Sequence, residues 1–409
     1  MRWGTVVALM LLVEIGAVLH YFATLLVDFL KAAPGKGTPT ILREFSDLTA
    51  KIPTLLSRNH IPNRGHWNGN EWVGTWSMPD PILQPIFEMV GMQYTGISPA
   101  IAWSARLILV YIYAFVWLFV LWDGYRRFRR YYRAADWTPR DDVIDRLRTH
   151  RWGQFGFIIV FLFVVMAVFA PTLGPTTVDQ NISNPYSHKM KYWSDESNSV
   201  KTILVGAANR NTRSVGSQNV GPMTYDKYGR WHPFGTLSTG KDLFTFIVAG
   251  SRISLIIGLL AVGLSSIIAV AFGLISAYYK GKVDLGFVLA SDAVMAMPQL
   301  LLLIMLTVVL SGTWLANIYS GALLLALIFA ATGWPFMWRS IRGPALQVSE
   351  REWIDAAKSF GQTPGAIMRK HMFPYIVGYL LIYGSMTLGG AIIAIAGLSF
   401  LGLGVNPPT

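Results

Sequence analysis

The chain has 409 residues, of which 53% are hydrophobic and only 14% are charged, with a net charge of +12 and no cysteine. Soluble domains carry about 25% charged residues, so much of this surface is expected to face something other than water. The missing cysteines exclude disulfides, Cys-ligated zinc, iron–sulfur clusters and thiol catalysis. The positive charge is compatible with nucleic-acid binding, but in a membrane chain basic cytoplasmic loops explain it better. We therefore expect no nucleic-acid partner.

Seven stretches of the chain are apolar and nearly free of charge, and each is a candidate membrane-spanning helix. They lie at about 5–27, 102–122, 153–170, 252–279, 293–311, 315–337 and 373–401. Most of them reach the ~20 residues that a helix needs to cross the hydrocarbon core of a bilayer. The pattern predicts an all-α integral membrane protein, built as a polytopic helical bundle.

The first of these stretches has two interpretations. Arg2 before an apolar run is typical of a secretory signal peptide. Glu14 interrupts the run, however, and no clear small-residue cleavage site precedes Lys31, which favours an uncleaved helix. Glu14 itself is an intramembrane functional acid, an interfacial residue or the partner of His20, and the sequence leaves these alternatives open.

Basic links between the spans predict the orientation of the chain. Residues 123–152 carry nine arginines against five aspartates, residues 339–371 carry six Lys/Arg against three acids, and residues 280–282 read Lys-Gly-Lys. Lys and Arg concentrate in cytoplasmic loops. Two spans separate each pair of basic links, so all three links can lie in the cytoplasm. The long loops 28–101 and 171–251 are then external, and both are expected to be irregular segments with short strands or helices.

Signatures of catalysis and of bound cofactors are absent from the sequence. No Gly-rich phosphate-binding loop occurs, so the chain is not expected to bind ATP by that route. The seven histidines are dispersed, and none belongs to a His-Glu-x-x-His pattern. We therefore expect a non-enzymatic chain with no metal and no cofactor of its own.

The most informative region is the basic link before the last span. Residues 350–360 have helical periodicity, and their predicted apolar face consists of Trp353, Ala356, Ala357 and Phe360. The spacing predicts a short amphipathic helix in the cytoplasm. A helix that merely rests on the lipid surface is the alternative.

The residues that flank this helix suggest how it begins and ends. Ser349 and Glu352 form a capping-box pattern at its start. Gly361 suits the left-handed residue that ends a helix. Thr363 suits the cap of a second helix, with Pro364 at the first position, where the missing N–H does no harm. Together they predict a helix, a turn and a second helix.

The same region resembles the EAA loop of ABC import permeases. The matching residues are Asp355, Ala356, Ala357, Gly361, Ile367, His371 and Pro374, with Glu352 just before them. The family pattern reads roughly Glu-Ala-Ala, three residues, Gly, and then Ile and His-x-x-Pro. Asp355 replaces the usual Glu but keeps its charge, and Gln362 replaces a common Ala. The resemblance implies that this loop is a coupling helix, docked into a groove of an ATPase subunit.

Three further stretches resemble the dipeptide/oligopeptide class of these permeases. The first begins at His232 and contains Gly235, Thr236, Gly240, Asp242, Arg252 and Ser254. The second runs from Gly273 to Pro298. The third contains Gly402 and Gly404. Four motifs in family order, over about residues 153–409, make the chain similar to the second of the two permeases in such importers.

The resemblance implies two regions. Residues 1–152, with two transmembrane helices, an external loop and a basic link, form an N-terminal extension outside the family core. Residues 153–409 form a core of the type I permease kind, with five visible helices, the external loop 171–251 and the coupling loop 339–371. The family continues into a sixth core helix where this chain ends at Thr409, so we expect the gene to continue in frame.

The resemblance also implies a function and a set of partners. The chain would pair with a second permease subunit in the plasma membrane, and two ATP-binding subunits would hold ATP and Mg²⁺. An external solute-binding protein would deliver di- or oligopeptides, which cross by alternating access. The same machinery importing oligosaccharides or nickel is an alternative. A secondary transporter, which predicts inverted repeats and midplane charges, and a membrane-anchored receptor are rivals from other classes.

Overall fold

The computed structural model describes residues 98–132, 149–212 and 219–403, two strands at 65–68 and 71–74, and scattered residues of the range 3–44. The described residues fall into two compact units, one up to Arg252 and one from Ile253 onward. We call them unit 1 and unit 2. This division is one of contacts, and the division at residue 152 that the resemblance implies stays a prediction.

Unit 1 is built around one long helix. The helices that form its core are α1 (Pro99–Tyr131), α2 (Arg151–Val168), α3 (Ala170–Leu173) and the first turns of α5 (Leu243–Tyr279). Their shared apolar core contains Val110, Ala114, Val165, Phe169, Ala170, Leu173, Phe244 and Val248. Glu14 is also buried, but its suggested partner His20 lies outside the described residues.

Two side chains of α1 satisfy the backbone where α3 ends. The indole Nε1 of Trp103 donates a hydrogen bond to the carbonyl of Leu173 at 3.0 Å. Arg106, fully buried, donates to the carbonyl of Gly174 at 3.4 Å. The last carbonyls of a helix have no partner within the helix, and cationic or N–H donors suit them. This contact gives a structural role to a charged residue near the start of a predicted span.

Short elements occupy the described parts of both long loops, in agreement with the irregular external loops expected from sequence. The strands of unit 1 are β1 (Gly65–Asn68), β2 (Glu71–Gly74), β3 (Lys189–Ser194), β4 (Ser199–Leu204), β5 (Thr224–Tyr225) and β6 (Trp231–His232). They form three antiparallel pairs of neighbours in sequence; in the second pair Lys189 lies opposite Leu204. A short helix, α4 (Val205–Asn211), follows β4.

Unit 2 is an all-helical bundle. Its helices are α5 (Leu243–Tyr279) from Ile253 on, α6 (Gly281–Met295), α7 (Gln299–Leu310), α8 (Ala322–Ser349), α9 (Glu352–Ser359), α10 (Pro364–Ile367) and α11 (Phe373–Phe400). The core lies around α8, which is buried along most of its length. Trp334 and Trp338 of α8 pack with Phe272 and Phe287. One side of α11 packs into the same core through Ile376, Ala391, Ile395 and Leu398.

Five helical segments within the described residues are long and apolar enough to span a membrane. They are Pro99–Tyr131, Arg151–Val168, Leu243–Tyr279, Ala322–Ser349 and Pro364–Phe400. A sixth span is possible if α6 and α7, which meet at an angle of 83°, count as one. The all-α membrane fold predicted from sequence is therefore confirmed. The predicted span 5–27 lies largely outside the described residues.

The predicted span 293–311 is not one continuous helix. The chain breaks after Met295, and Pro298 stands at the start of α7. Proline has no N–H and disfavours helical geometry in the residue before it, so one straight helix cannot cover the whole stretch. The 12 residues of α7 extend only about 18 Å, too short to cross a hydrocarbon core of about 30 Å.

The predicted end of the next span is also wrong. The sequence places it at residue 337, whereas α8 starts at Ala322 and continues to Ser349 with Pro335 and Pro344 inside it. A proline inside a helix removes a backbone hydrogen bond and usually kinks or breaks the helix. Packing in the centre of the bundle instead holds it together, since neighbouring helices and side chains satisfy the backbone groups that proline frees.

Candidate functional site

Helix α9 forms where the sequence predicts it, but it starts differently. Its N-cap is Arg351, and the helix begins at Glu352. Ser349 ends α8 instead, where its hydroxyl donates to the carbonyl of Leu346 at 2.7 Å. The predicted capping box is therefore wrong, because Ser349 is occupied by the preceding helix. Glu352 and Asp355 in the first turn and Lys358 in the last still match the helix dipole.

The turn after α9 has the geometry that the sequence predicts. Gly361 has a φ of +74°, a left-handed conformation that costs an L-residue roughly 1–2 kcal/mol. Its N–H donates to the carbonyl of Lys358 at 2.9 Å, and the N–H of Gln362 donates to that of Ala357 at 3.1 Å. These two bonds form a Schellman motif. Thr363 precedes α10 as expected, although its side chain makes no capping hydrogen bond.

The buried face of α9 is not the predicted one. Ile354 and Ala357 are buried, together with Ile367 of α10 and Met372, in the apolar core of unit 2. The prediction had placed Ala357 on one face with Trp353, Ala356 and Phe360. It omitted Ile354, which is fully buried. Helix α9 is thus anchored through its small and branched side chains rather than through its aromatic ones.

The aromatic side chains of α9 lie on its outward face. Phe360 is 87% exposed, Trp353 is 40% exposed, and Ala356 between them is exposed as well. The Trp353 ring stacks on Tyr375, with ring centres 5.6 Å apart. Asp355 is exposed and pairs with Lys358 at 2.9 Å. The helix therefore presents an apolar stripe flanked by an ion pair.

One side-chain contact ties this segment together internally, and another joins its start to the bundle. His371 Nε2 lies 3.0 Å from the amide oxygen of Gln362, within hydrogen-bond distance. Lys280 Nζ lies 3.0 Å from a carboxylate oxygen of Glu350. Pro374 occupies the first turn of α11, where its missing N–H leaves no hydrogen bond unmade. We refer to residues 350–374 as the 350–374 segment.

The base of α8 is fixed by ion pairs with α6. The Arg342 guanidinium binds both carboxylate oxygens of Asp284, one of them at 2.6 Å from Nε. Asp284 also accepts a hydrogen bond from Ser276, and Arg339 pairs with Asp292. A two-pronged Arg–carboxylate contact fixes orientation as well as distance. The helix that leads into α9 is therefore held at its base.

The external family motif is buried in unit 1. The carboxylate of Asp242 accepts hydrogen bonds from the N–H and the hydroxyl of Thr245, both at 2.7 Å, near the start of α5. Asn181 binds the backbone N–H and carbonyl of Asp242. Thr236 forms an isolated bridge with Asp242 and accepts from the N–H of Val220. Asp242 therefore joins three parts of the external region.

Two glycines make this motif possible. Gly235 and Gly240 have φ values of +82° and +74°. A side chain at Gly240 would overlap the carbonyl oxygen of Asn209, and one at Gly235 would overlap that of Val220. The backbone therefore packs too closely at both positions for any larger residue.

A buried charge cluster surrounds His232. Its Nδ1 lies 2.9 Å from Asp242, and its Nε2 lies 3.5 Å from Asp226. Arg230 pairs with Asp226 at 2.7 Å and donates to Asn209 at 2.5 Å. Two carboxylates balance one guanidinium and one imidazolium, so the cluster is neutral when His232 is protonated.

The pKa values follow from this arrangement. Burial lowers the pKa of His232, but its contacts with Asp226 and Asp242 outweigh burial and raise it above 6.5. Burial raises the pKa of Asp226, but the hydrogen bond with His232 and the charge of Arg230 outweigh it and hold this pKa at about 2. The folded chain therefore favours the charged form of both groups.

Sequence reasoning missed Asp226 and Arg230, the two charged residues that complete this cluster. Asp226 accepts from the N–H groups of Tyr228 and Arg230 at 3.0 and 2.8 Å. Gly229 between them has a φ of +74°. An Asp three residues before a Gly is a turn signal, and it predicts the turn but not the contact of Asp226 with His232.

The remaining motif residues are placed as follows. Arg252 and Ser254 are half-buried on α5. Gly402, with a φ of +76°, ends α11 in a second Schellman motif, in which the N–H of Leu403 donates to the carbonyl of Leu398. Gly404 lies outside the described residues.

Two family profiles match the chain. Residues 269–408 match the binding-protein-dependent transport system inner membrane component, a range that includes α6 to α11. Residues 138–190 match the N-terminal transmembrane domain of oligopeptide transport permease C.

Curated relatives agree with these profiles. The dipeptide transport system permease protein of Bacillus subtilis is 32% identical over 283 residues, 68% of this chain and 74% of the relative. The oligopeptide permease of the same organism is 30% identical over 65% of this chain and 72% of the relative. A glutathione transport permease of Escherichia coli is 35% identical over 66% and 75%. With its membrane-spanning helices, the chain is a multi-pass plasma-membrane protein, and it belongs to the family of binding-protein-dependent ABC import permeases of the peptide class.

Proposed function

We propose that this permease is one of two membrane subunits of an ATP-driven peptide importer, and that its 350–374 segment receives the movement of an ATPase subunit. The outward face of α9 is the observation that carries this proposal. Phe360, the residue that caps the end of α9, is 87% exposed. Contiguous exposed apolar surface marks a protein interface. The positive-inside orientation places this surface in the cytoplasm, where ATP is available.

The inward face of α9 supplies the mechanical connection. Ile354 and Ala357 pack into the same core as Ile341 and Val348 of α8 and Ile376 of α11. A push on α9 therefore acts on the ends of two spans at once. Side chains in such close-packed cores transmit displacement rather than absorb it. Glu352, Asp355, Ala356, Gly361, His371 and Pro374 would shape this element, and none would take part in chemistry.

The other components of the importer are proposed from the family. A second permease would complete the pathway, two ATP-binding subunits would hold ATP and Mg²⁺, and an external solute-binding protein would deliver the cargo. Relatives named for dipeptide, oligopeptide and glutathione transport support a short peptide as cargo. Uptake of labelled di- and oligopeptides, labelled oligosaccharide and labelled Ni²⁺ by the reconstituted complex, each measured separately, tests this choice. Oligosaccharide or Ni²⁺ uptake without peptide uptake would overturn it.

The coupling role is tested at the turn after α9. Gly361→Val forces a branched side chain into a left-handed residue and should displace α9 from its position. We expect the complex to assemble but to lose most of its cargo-stimulated ATP hydrolysis. Gly343→Val is the matched control, because Gly343 is exposed with nothing within 4 Å of its added Cβ. Normal stimulation in Gly361→Val would show that the 350–374 segment is not the coupling element.

A further inference from the structure

An open apolar crevice of about 380 Å³ lies in unit 2, beside the 350–374 segment. One wall is formed by Ala271, Leu274 and Ile275 of α5. The other is formed by Gly365, Met368 and Phe373, and Arg369 is the only charged residue in the lining. Ala271 is exposed, whereas Leu274 is buried, so the crevice opens at the surface and deepens inward. Its walls suit a hydrocarbon chain.

The crevice lies near the end of a membrane-spanning helix. Ile275 is four residues before Tyr279, the last residue of α5, a rise of only about 6 Å. Lys280 and Lys282 follow directly. In the orientation assigned by the basic links, this level corresponds to the boundary between hydrocarbon and headgroups in the cytoplasmic leaflet.

Positive charge at the crevice is not balanced by the protein. Arg369 and the neighbouring Lys370 are exposed, and no carboxylate in the described part of the chain lies within 4 Å of either side chain. Among the acids of the 350–374 segment, Glu350 pairs with Lys280 and Asp355 with Lys358, and Glu352 forms no ion pair with Arg369 or Lys370. An apolar slot with a cationic rim complements an amphiphile that carries an anionic head.

We propose that this crevice binds an anionic phospholipid of the cytoplasmic leaflet. One acyl chain lies between Leu274, Met368 and Phe373, and the phosphate group meets Arg369 and Lys370. Basic pockets between helices on the cytoplasmic side are suited to such headgroups. The lipid would brace residues 365–373, which connect α9 and α10 to α11. The proposal rests on the assigned orientation and not on the cargo.

Lipid retention by the purified complex tests the proposal. The complex is exchanged into detergent with equal amounts of phosphatidylglycerol and phosphatidylcholine, and bound lipid is counted by native mass spectrometry. We expect preferential retention of phosphatidylglycerol. Arg369→Glu should lower it roughly fivefold or more, because one basic residue near anionic lipid contributes about that factor. Ala271→Phe should lower retention of both lipids by filling the slot.

Two matched control variants distinguish a specific lipid-binding site from a general effect of surface charge or added bulk. Lys282→Glu makes the same charge reversal at an exposed position in the first turn of α6, and Ala290→Phe adds the same ring at an exposed position later in α6. Both should retain lipid like the wild type. The proposal is overturned if phosphatidylcholine is retained equally well, if Lys282→Glu reduces binding as much as Arg369→Glu, or if Ala271→Phe changes nothing. ATP hydrolysis plays no part in this assay, so the importer and the lipid site can fail separately.

Discussion

Two of the family motifs, the external one around His232 and the cytoplasmic 350–374 segment, differ in how their side chains are used. In the external motif, His232, Asp242 and Thr236 are buried and bind one another or nearby backbone. In the 350–374 segment, only Ile354 and Ala357 of α9 turn inward, while Trp353 and Phe360 are exposed. The external motif satisfies its own polar groups, and the cytoplasmic one leaves an apolar surface uncovered. Membership of a family motif therefore does not by itself identify a partner contact.

This contrast predicts different consequences of mutation. Changes in the external motif should act through folding of unit 1, because the charges there balance only as a set. Changes on the outward face of α9 should leave folding intact and act through a partner. The following predictions test the difference, beginning with the largest effect.

Replacing Asp242 should be the most damaging single change. Asp242→Ala removes one of two carboxylates that neutralise His232 and Arg230, and it removes the acceptor for Thr245. Breaking a buried pair by removing one partner costs about 3–5 kcal/mol. We expect a strongly lowered midpoint of thermal unfolding in detergent and poor recovery from the membrane.

A second variant separates charge from shape. Asp242→Asn keeps the size and most acceptors but leaves the cluster with net positive charge, so it should be destabilised less than Asp242→Ala. The double variant His232→Gln/Asp242→Asn should recover part of the loss. Additive effects of the two changes would argue against a coupled cluster.

The next effect is a dependence of stability on pH. The folded pKa of His232 is raised above 6.5, so its protonation contributes stability that is complete below 6.5 and is lost as the pH rises through the folded value. The pKa of Asp226 is lowered from 3.8 to about 2, so its contribution is complete above 3.8 and is lost as the pH falls through 2. The midpoint of thermal unfolding should therefore be highest between about pH 3.8 and pH 6.5, where both contributions are complete.

The alkaline side of this profile belongs to one residue. His232→Gln should flatten the decline in the unfolding midpoint between pH 6 and pH 9. Because His232 also helps to hold the pKa of Asp226 low, the acid-side decline should move to higher pH in the same variant. If the unfolding midpoint of the variant still declines as steeply as that of the wild type, the alkaline decline is caused by another titrating group.

The smallest effect is expected at the exposed ion pair of α9. Asp355 and Lys358 lie 2.9 Å apart, with 68% and 42% of their side chains exposed, and such pairs contribute about 0–1 kcal/mol. Asp355→Ala should leave the unfolding midpoint nearly unchanged but weaken cargo-stimulated ATP hydrolysis. Asp355→Glu, which restores the usual family residue, should be close to wild type in both assays. A large shift in the midpoint would mean that Asp355 stabilises the permease itself.

Local pattern predicted much of this structure. Long apolar runs predict most of the spans, because a bilayer demands about 20 uncharged residues in each. Gly361 was predicted to be left-handed because few other residues end a helix in that conformation at low cost. These features depend on residues close together in the chain.

The predictions were wrong where contacts between residues far apart in the sequence determine the structure. Helical periodicity groups Trp353, Ala357 and Phe360 by hydrophobicity, but the space beneath α9 accepts Ile354 and Ala357. Asp226 and Asp242 lie 16 residues apart in sequence and meet only through His232. The continuation of α8 past Pro335 and Pro344 depends on the helices packed around it. Periodicity and local propensity do not contain this information.

Site-specific photocrosslinking in the assembled complex tests the central claim most directly. A benzophenone side chain replaces Phe360 in one variant and Phe400 in another; these residues are 87% and 91% exposed and lie at opposite ends of unit 2. We predict that Phe360→benzoylphenylalanine crosslinks to an ATP-binding subunit and that Phe400→benzoylphenylalanine does not. A crosslink to lipid alone from position 360, or equal capture of the ATPase from both positions, would contradict the account.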